Sequence, residues 1–382
     1  MIWILMIVAT LSLLLALHPF VTYPLSLLAL RAWRGRDDEQ PHVPSRNLSF
    51  AVCMCAYNEE RVIEQKIQNL LQLRAREPGL QILIYVDAAS DRTAEILRRY
   101  ESQIYLHISP ERHGKTYGMN LLSAHASADV LVFTDANVML DPECLDDLRR
   151  HFADPQVGCV CGNLNYTNGG ASVTASSGSL YWRFEEALKR LESDTGSMMG
   201  ADGSIFAIRR DARHAPPVHI IDDMYVSLMA LVDGYRVIQA PDVRAYEESV
   251  TCSAEEFSRK VRIACQAFNV HRLLWPRLRR ADALTRYKYV SHKLIRWLSI
   301  YFLILSGVAF LAALLLAGHS TAALSLLAMA LVCLMLGRAS VRPFSQILDV
   351  LSALAGAGLG VWRSIRGERY QTWNPATSIR GG

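Results

Sequence analysis

Asp135 and Asn137 close the run Asp129-Val130-Leu131-Val132-Phe133-Thr134-Asp135-Ala136-Asn137, where apolar residues lead into two short oxygen-bearing side chains one residue apart. Hard cations such as Mg²⁺ take oxygen ligands and are commonly held by one or two carboxylates together with substrate phosphates. The chemistry on offer is neutralisation of a metal-bound diphosphate, although Asp and Asn are equally at home in helix caps and turns. A second acidic pair, Asp222-Asp223, follows His219-Ile220-Ile221 and opens a helical pattern closed by Asp233-Gly234. Two acids there suit either a helix N-terminus, where the dipole favours them, or a general base beside a hydroxyl that must lose its proton. Arg259 and Arg262, three apart in the helical pattern Glu255–Phe268, form either a charged face or a clamp for a departing diphosphate, for which the guanidinium is well shaped.

These residues need a frame. The apolar run before Asp135 reads as a strand buried on both faces, the kind found in parallel sheets, and ligands of open α/β sheets bind where such strands end. Three more strands precede it, at Ser49–Cys55, Gln81–Val86 and Ile104–Ile108. Helical patterns separate them, running to about Leu73, over Ala94–Tyr100 and over Thr116–His125. This alternation predicts a parallel sheet covered on both faces, with Asn58, Asp87 and Asp135 projecting at one edge. Taken singly, Asp87 suits a turn, Asn58 and Asp91 suit N-caps, and Lys115 suits a solvated first turn. Farther on, Gln156–Gly162 reads as a strand and Ser176–Leu191 as a helix carrying Tyr181-Trp182-Arg183. Gly200-Ala201-Asp202-Gly203 reads as a loop entering the strand that ends near Arg210. Neither a G-x-G-x-x-G nor a G-x-x-x-x-G-K-[ST] is present at the strand ends, which argues against dinucleotide and P-loop binding.

The chain has 382 residues, 51% of them apolar. Residues 1–30, 297–317 and 318–337 contain no Asp, Glu, Lys or Arg. Since ~20 apolar residues cross a bilayer as a helix, these are three candidate spans around a polar middle, the first kinked at His18-Pro19 and Pro24. It lacks the basic start and small-residue cleavage site of a signal peptide. Arg31, Arg34 and Arg36 follow the first span, and the stretch from Arg272 to Arg296 is basic with Asp282 its one acid. By the positive-inside bias the middle is cytoplasmic, at the inner (plasma) membrane. The division expected is a membrane segment 1–30, a linker 31–48 and a catalytic domain 49–275. A basic interfacial helix 276–296 and spans 297–317 and 320–337 follow, then an interfacial or re-entrant helix with cytoplasmic tail over 344–382. The eight cysteines show no zinc spacing, and cytosolic thiols stay reduced; they read as small core hydrophobes.

In this order the motifs resemble the membrane-bound members of glycosyltransferase family 2, related to hyaluronan, chitin and poly-N-acetylglucosamine synthases. The resemblance covers roughly 49–275 plus the flanking helices. It implies an α/β fold of GT-A type, a Rossmann-like mixed sheet covered by helices, with N-terminal and C-terminal transmembrane helices. Ala56-Tyr57-Asn58-Glu59-Glu60 resembles the first nucleotide-binding loop, Asp87 with Asp91 the acids beside uracil and ribose, and His113-Gly114-Lys115 the Gly-Lys after the third strand. Asp135-Ala136-Asn137 stands in the D-x-D position, and Gly200–Arg210, with Asp202, resembles the loop beneath the acceptor. Asp222-Asp223, before Gly234-Tyr235-Arg236, matches the E-D…G-Y-R element and makes Asp223 the implied base. Trp182, Arg259 and Arg262 complete the implied substrate-binding set. Two departures stand out: Asn137 replaces the second Asp, removing one anionic ligand, and Ile263 in Arg259-Lys260-Val261-Arg262-Ile263 stands where a Trp would stack on the acceptor. The second departure leaves single transfer to a lipid or to a growing glycan equally open.

The implied activity is transfer of a sugar, with inversion, from a nucleotide-diphosphate donor such as a UDP-sugar. Mg²⁺ or Mn²⁺ is the implied cofactor, held by Asp135 and Asn137. The partners expected are that donor, a lipid-linked or polysaccharide acceptor and the bilayer, with no nucleic acid. A membrane-associated nucleotidyltransferase would share the sheet and the metal site, and a non-catalytic scaffold would share the spans but leave the converging acids unexplained.

Overall fold

The computed structural model describes residues 1–34, 48–167, 173–247 and 253–372; the side chains of 173–182 and 253–256 lie outside that description. The chain divides into two compact units. One, built from 30–252, 269–281 and 369–382, carries the sheet; the other, from 1–29, 253–268 and 282–368, is helical.

The sheet unit begins with β1 (Phe50–Ala56), α3 (Ile63–Arg76), β2 (Gln81–Asp87), α4 (Thr93–Arg98), β3 (Tyr105–Ser109), α5 (Lys115–His125) and β4 (Val130–Asp135), following α1 (Ile2–Leu17) and α2 (Thr22–Arg34). Strands β3-β2-β1-β4 are parallel neighbours, as the alternation predicts. Alternate side chains point to opposite faces of a strand, so Phe50, Val52, Met54, Val130 and Val132 enter one core. Ala51, Cys53, Cys55, Leu131 and Phe133 enter the other. Both faces are apolar because both are covered, which is why these strands read as continuous apolar runs. Cys53, Cys55, Cys159 and Cys161 are buried and unbridged.

Beyond β4 the sheet becomes mixed, as expected of the GT-A type. The chain continues through β5 (Met139–Leu140), α6 (Cys144–His151), β6 (Val157–Tyr166), α7 (Val173–Asp194), β7 (Ile205–Arg209), α8 (Asp222–Val232) and β8 (Arg236–Glu247). Among the described residues eight strands lie in the order β3-β2-β1-β4-β7-β6-β8-β5, and β7 runs antiparallel to both β4 and β6. The sheet is therefore mixed. Apolar periodicity reports that a strand is buried but carries no sign of its direction, and the two-residue β5 is too short to leave a pattern. β1 and β4 end in register, Cys55 opposite Asp135, and Ala56 pairs with Val86 just before Asp87. Their carboxyl ends thus share one edge.

In the helical unit, α1 stops at Leu17, ahead of His18-Pro19, and the α1–α2 pair bends by 57°. Pro24 falls in the first turn of α2, where the missing N–H does no harm. Ser306 Oγ donates to the Ala9 carbonyl at 2.8 Å, tying α1 to α11 (Ile295–Leu316). The basic stretch is not the single interfacial helix 276–296 expected. α9 (Ser253–Leu278) ends, and Asp282 caps a new helix by accepting from Leu284 N (2.9 Å) and Thr285 N (3.0 Å). That helix, α10 (Ala283–Tyr289), continues through a π turn into α11, so Ala283–Leu316 is one run. α12 (Ser320–Arg338) and α13 (Phe344–Ile365) follow. The runs Ala283–Leu316, α12 and α13 are each long and apolar enough to cross a membrane, and the bent α1–α2 pair passes together as a broken span or a re-entrant loop.

Candidate active site

Two tight turns follow β1 and β2. Asn58 and Ala88, just past β1 and β2, adopt φ of 53° and 52°, left-handed values that Asn tolerates better than most residues. Asn58 Oδ1 accepts from Ser90 N at 2.8 Å, and the Asp91 carboxylate accepts from Glu60 N and Thr93 N, each at 3.0 Å. Glu59 N donates to Thr93 Oγ1 at 2.7 Å. Asn58, Glu59 and Asp91 therefore clamp the loops after β1 and β2 to each other.

Asp87 is buried rather than facing out of the strand end. Its oxygens accept from His113 N (2.7 Å), Gly114 N (3.1 Å) and Arg112 Nε (3.0 Å), so it anchors the loop 111–114 to β2. The Arg112 guanidinium also lies over the Tyr57 ring, 3.4 Å from its centroid. Arg112 is a site residue that the sequence does not single out, because nothing near it in the chain announces Asp87 or Tyr57. Gly114, at φ 91°, must be glycine for a second reason: a Cβ there would meet the Gln371 carbonyl oxygen at 2.0 Å. Gln371 Nε2 donates to the neighbouring His113 carbonyl at 3.1 Å.

Lys115, the first residue of α5, joins the acids at the other end. Its Nζ lies 2.6 Å from Asp135 Oδ1. Burial alone would lower its pKa, but Asp135, Asp222 and Asp223 together hold the ammonium above the ordinary lysine range. A Cβ on Gly203 would meet Asp223 Oδ2 at 2.7 Å and Lys115 Nζ at 3.4 Å. The glycine thus leaves room where the base candidate and the lysine face one loop. Burial, then the adjacent Asp222 charge, push the Asp223 carboxyl up to about 7, against the lowering pull of Lys115. Asp222 is itself buried, and its Oδ2 has no hydrogen-bond partner.

The loop 200–203 is fixed from below. Ala201 N donates to Ser227 Oγ at 2.9 Å, and Ser227 Oγ donates to the Asp223 carbonyl at 2.7 Å. Asp202 pairs with the buried Lys189 of α7, which also holds Glu186 at 3.0 Å. Thus Gly200 and Asp202 belong to a braced loop beside Asp223. Trp182 lies on α7 with its side chain outside the described residues. Arg259 and Arg262 lie three apart on α9, within the helical unit.

Among the described residues no three His, Cys, Asp or Glu side chains gather to cage a metal. The oxygens able to hold one are Asp135 Oδ2 and Asn137 Oδ1; Lys115 takes the other Asp135 oxygen, and Asn137 bonds Glu247 through its nitrogen. Two oxygens at a strand end fit an ion whose remaining positions come from phosphate and water.

Residues 51–214 match the family model described as glycosyl transferase family 2. A 4,4'-diaponeurosporenoate glycosyltransferase of Staphylococcus haemolyticus is 30% identical over 114 residues, covering 28% of this chain and 29% of the relative. An O-antigen chain rhamnosyltransferase of Salmonella anatum is 23% identical over 55% of this chain and 70% of its own length. The hyaluronan synthase of Streptococcus pyogenes is 22% identical over 50% of this chain and 46% of its own. The chain spans less than a third of the first of these relatives. Among solved structures, a mannosyltransferase from Pyrobaculum calidifontis, in complex with GDP-Man and Mn²⁺, superposes with a TM-score of 0.74 at 21% identity. The match covers 95% of this chain and 99% of that one, a shared fold in which the apolar helices are included. The matched region runs from β1 past β7 and holds the loops that gather Lys115, Asp135 and Gly203; over these residues the chain is similar to glycosyltransferase family 2.

Proposed function

We propose that the protein transfers a sugar, with inversion, from a nucleotide-diphosphate donor, a UDP-sugar first among them, to a lipid-linked or polysaccharide acceptor at the membrane surface. One observation carries the reading: the Lys115 ammonium binds Asp135 at 2.6 Å and lies within electrostatic reach of Asp223, a half-buried acid pushed up to about 7. A base near neutrality beside the donor end of the site is what single displacement needs, since proton transfer is most effective when the base pKa is near working pH.

In this reading the loops carrying Tyr57, Asn58 and Asp91 seat the nucleoside, with Asp87 shaping the loop that bears Arg112 and Lys115. Asp135 and Asn137 would hold Mg²⁺ or Mn²⁺, which when bound would neutralise the diphosphate. Asp223 accepts the acceptor hydroxyl proton as that oxygen bonds to the anomeric carbon; the bond from that carbon to the phosphate oxygen breaks, and the nucleoside diphosphate leaves. Asp222 keeps the base pKa high. Lys115 supplies positive charge to the departing group. The basic residues around Arg272–Arg296 support a cytoplasmic sheet unit by the positive-inside bias.

The test is product chemistry. Detergent-purified protein with Mn²⁺ and UDP- or GDP-sugars should release nucleoside diphosphate and form a glycoside of configuration opposite to the donor. Release of pyrophosphate instead would assign a nucleotidyltransferase, and retained configuration would remove the single displacement.

A further inference from the structure

Asn137 differs from the aspartate it replaces in a way that matters to a cation. A carboxylate offers a metal the same atom whichever way it turns, whereas an amide offers oxygen on one side and an N–H donor on the other. An asparagine in this position ligates only when something fixes its orientation. Asn137 Nδ2 donates to Glu247 Oε1 at 2.7 Å. A carboxylate only accepts, so this contact turns the nitrogen toward Glu247 and the oxygen away from it. Asn137 makes no other hydrogen bond among the described residues.

Glu247 is held to this place by the sheet. It ends β8, whose preceding residues Tyr246 and Ala245 pair with Met139 and Leu140 of β5, the strand that begins two residues after Asn137. Its carbonyl accepts from Thr167 N at 3.0 Å. The short strand β5 therefore ties the far end of the chain's last strand to the loop after β4.

We propose that Glu247 is a positioning residue that fixes the Asn137 amide so that Oδ1 faces the cation shared with Asp135. The inference rests on the reading of this site as a metal–nucleotide site, and it accounts for how an amide serves in the second place. Outer partners of this kind typically change metal affinity by 10–100-fold when removed.

The experiment is Mn²⁺ binding, followed by electron paramagnetic resonance of free Mn²⁺, to the full chain in detergent with UDP present and no acceptor. Four proteins are compared: native, Glu247→Gln, Asn137→Asp and the double variant. Glutamine both donates and accepts, so it no longer dictates the amide orientation. Glu247→Gln should weaken Mn²⁺ binding about tenfold when residue 137 is Asn, and have little effect in the Asn137→Asp background, where no amide needs orienting. Tight binding by the double variant would also show that glutamine at this position is compatible with the fold. If Glu247→Gln weakens binding equally in both backgrounds, Glu247 is itself a ligand and the positioning role is overturned. If it weakens binding in neither, Glu247 has no part in the site. Failure of the native chain to bind Mn²⁺ with UDP would instead overturn the metal–nucleotide reading underneath.

Discussion

Lys115 Nζ rests 2.6 Å from Asp135 Oδ1, and the same ammonium is held protonated by Asp222 and Asp223. One side chain at the start of α5 thus connects the acid at the end of β4 with the acids that open α8. Replacing it disturbs both ends. Lys115→Met should lower kcat/KM by about 10²-fold, the scale of losing one preorganised charge. It should also move the acidic limb of the rate profile to higher pH, because Lys115 lowers the Asp223 pKa. A slower enzyme with an unmoved limb would confine Lys115 to the donor end.

The pH dependence follows from Asp223. Burial first, and Asp222 second, push its carboxyl up to about 7, and only the unprotonated form accepts a proton. The rate should therefore rise with pH and level off above about 7. Asp222→Asn removes the like charge, so the limb should move to lower pH. Initial rates across pH 5 to 9 for both proteins check the sign.

Gly203 gives a steric test that leaves the acids in place. A Cβ there would press on Asp223 Oδ2 at 2.7 Å and Lys115 Nζ at 3.4 Å, both ends of side chains rather than backbone. Gly203→Ala should fold with little change in melting temperature while kcat falls at least about tenfold, since small misplacements of reacting groups are costly. Equal losses in stability and rate would mean the glycine serves the backbone instead.

Lys66 predicts an effect on stability. It is fully buried, donating to the Val138 carbonyl and, at 3.4 Å, to Thr134 Oγ1; burial lowers its pKa to about 7. An unfolded lysine keeps its proton to about 10.4, so between about 7 and 10 the unfolded chain binds more protons than the folded one. Stability from this group therefore increases as pH rises through that window. Melting temperatures measured from pH 6 to 10 should show this component in the native protein and lose it in Lys66→Met.

What could be read from residues alone was the part that repeats. β1, β2 and β4 announce themselves because both their faces are buried, and the acids at their ends follow from that register. The reversal of β7 and the two-residue β5 leave no periodic trace. Asp87 could be placed at the strand end but not turned inward, since Arg112, His113 and Gly114, which take up its oxygens, lie more than twenty residues away. Glu247 is 110 residues from Asn137, and no local pattern links them. Asp282 shows the opposite case: a lone acid in a basic stretch is a cap, and it separates α9 from α10.

The most direct measurement is nucleoside diphosphate release from a UDP- or GDP-sugar with Mn²⁺ and membrane-lipid acceptor, native chain against Asp223→Asn. Asparagine keeps the shape and cannot take the proton; the account predicts release in the native protein and a loss of about 10³-fold or more in the variant, within the range of general-base and electrostatic effects together. Release at the native rate by Asp223→Asn would contradict it.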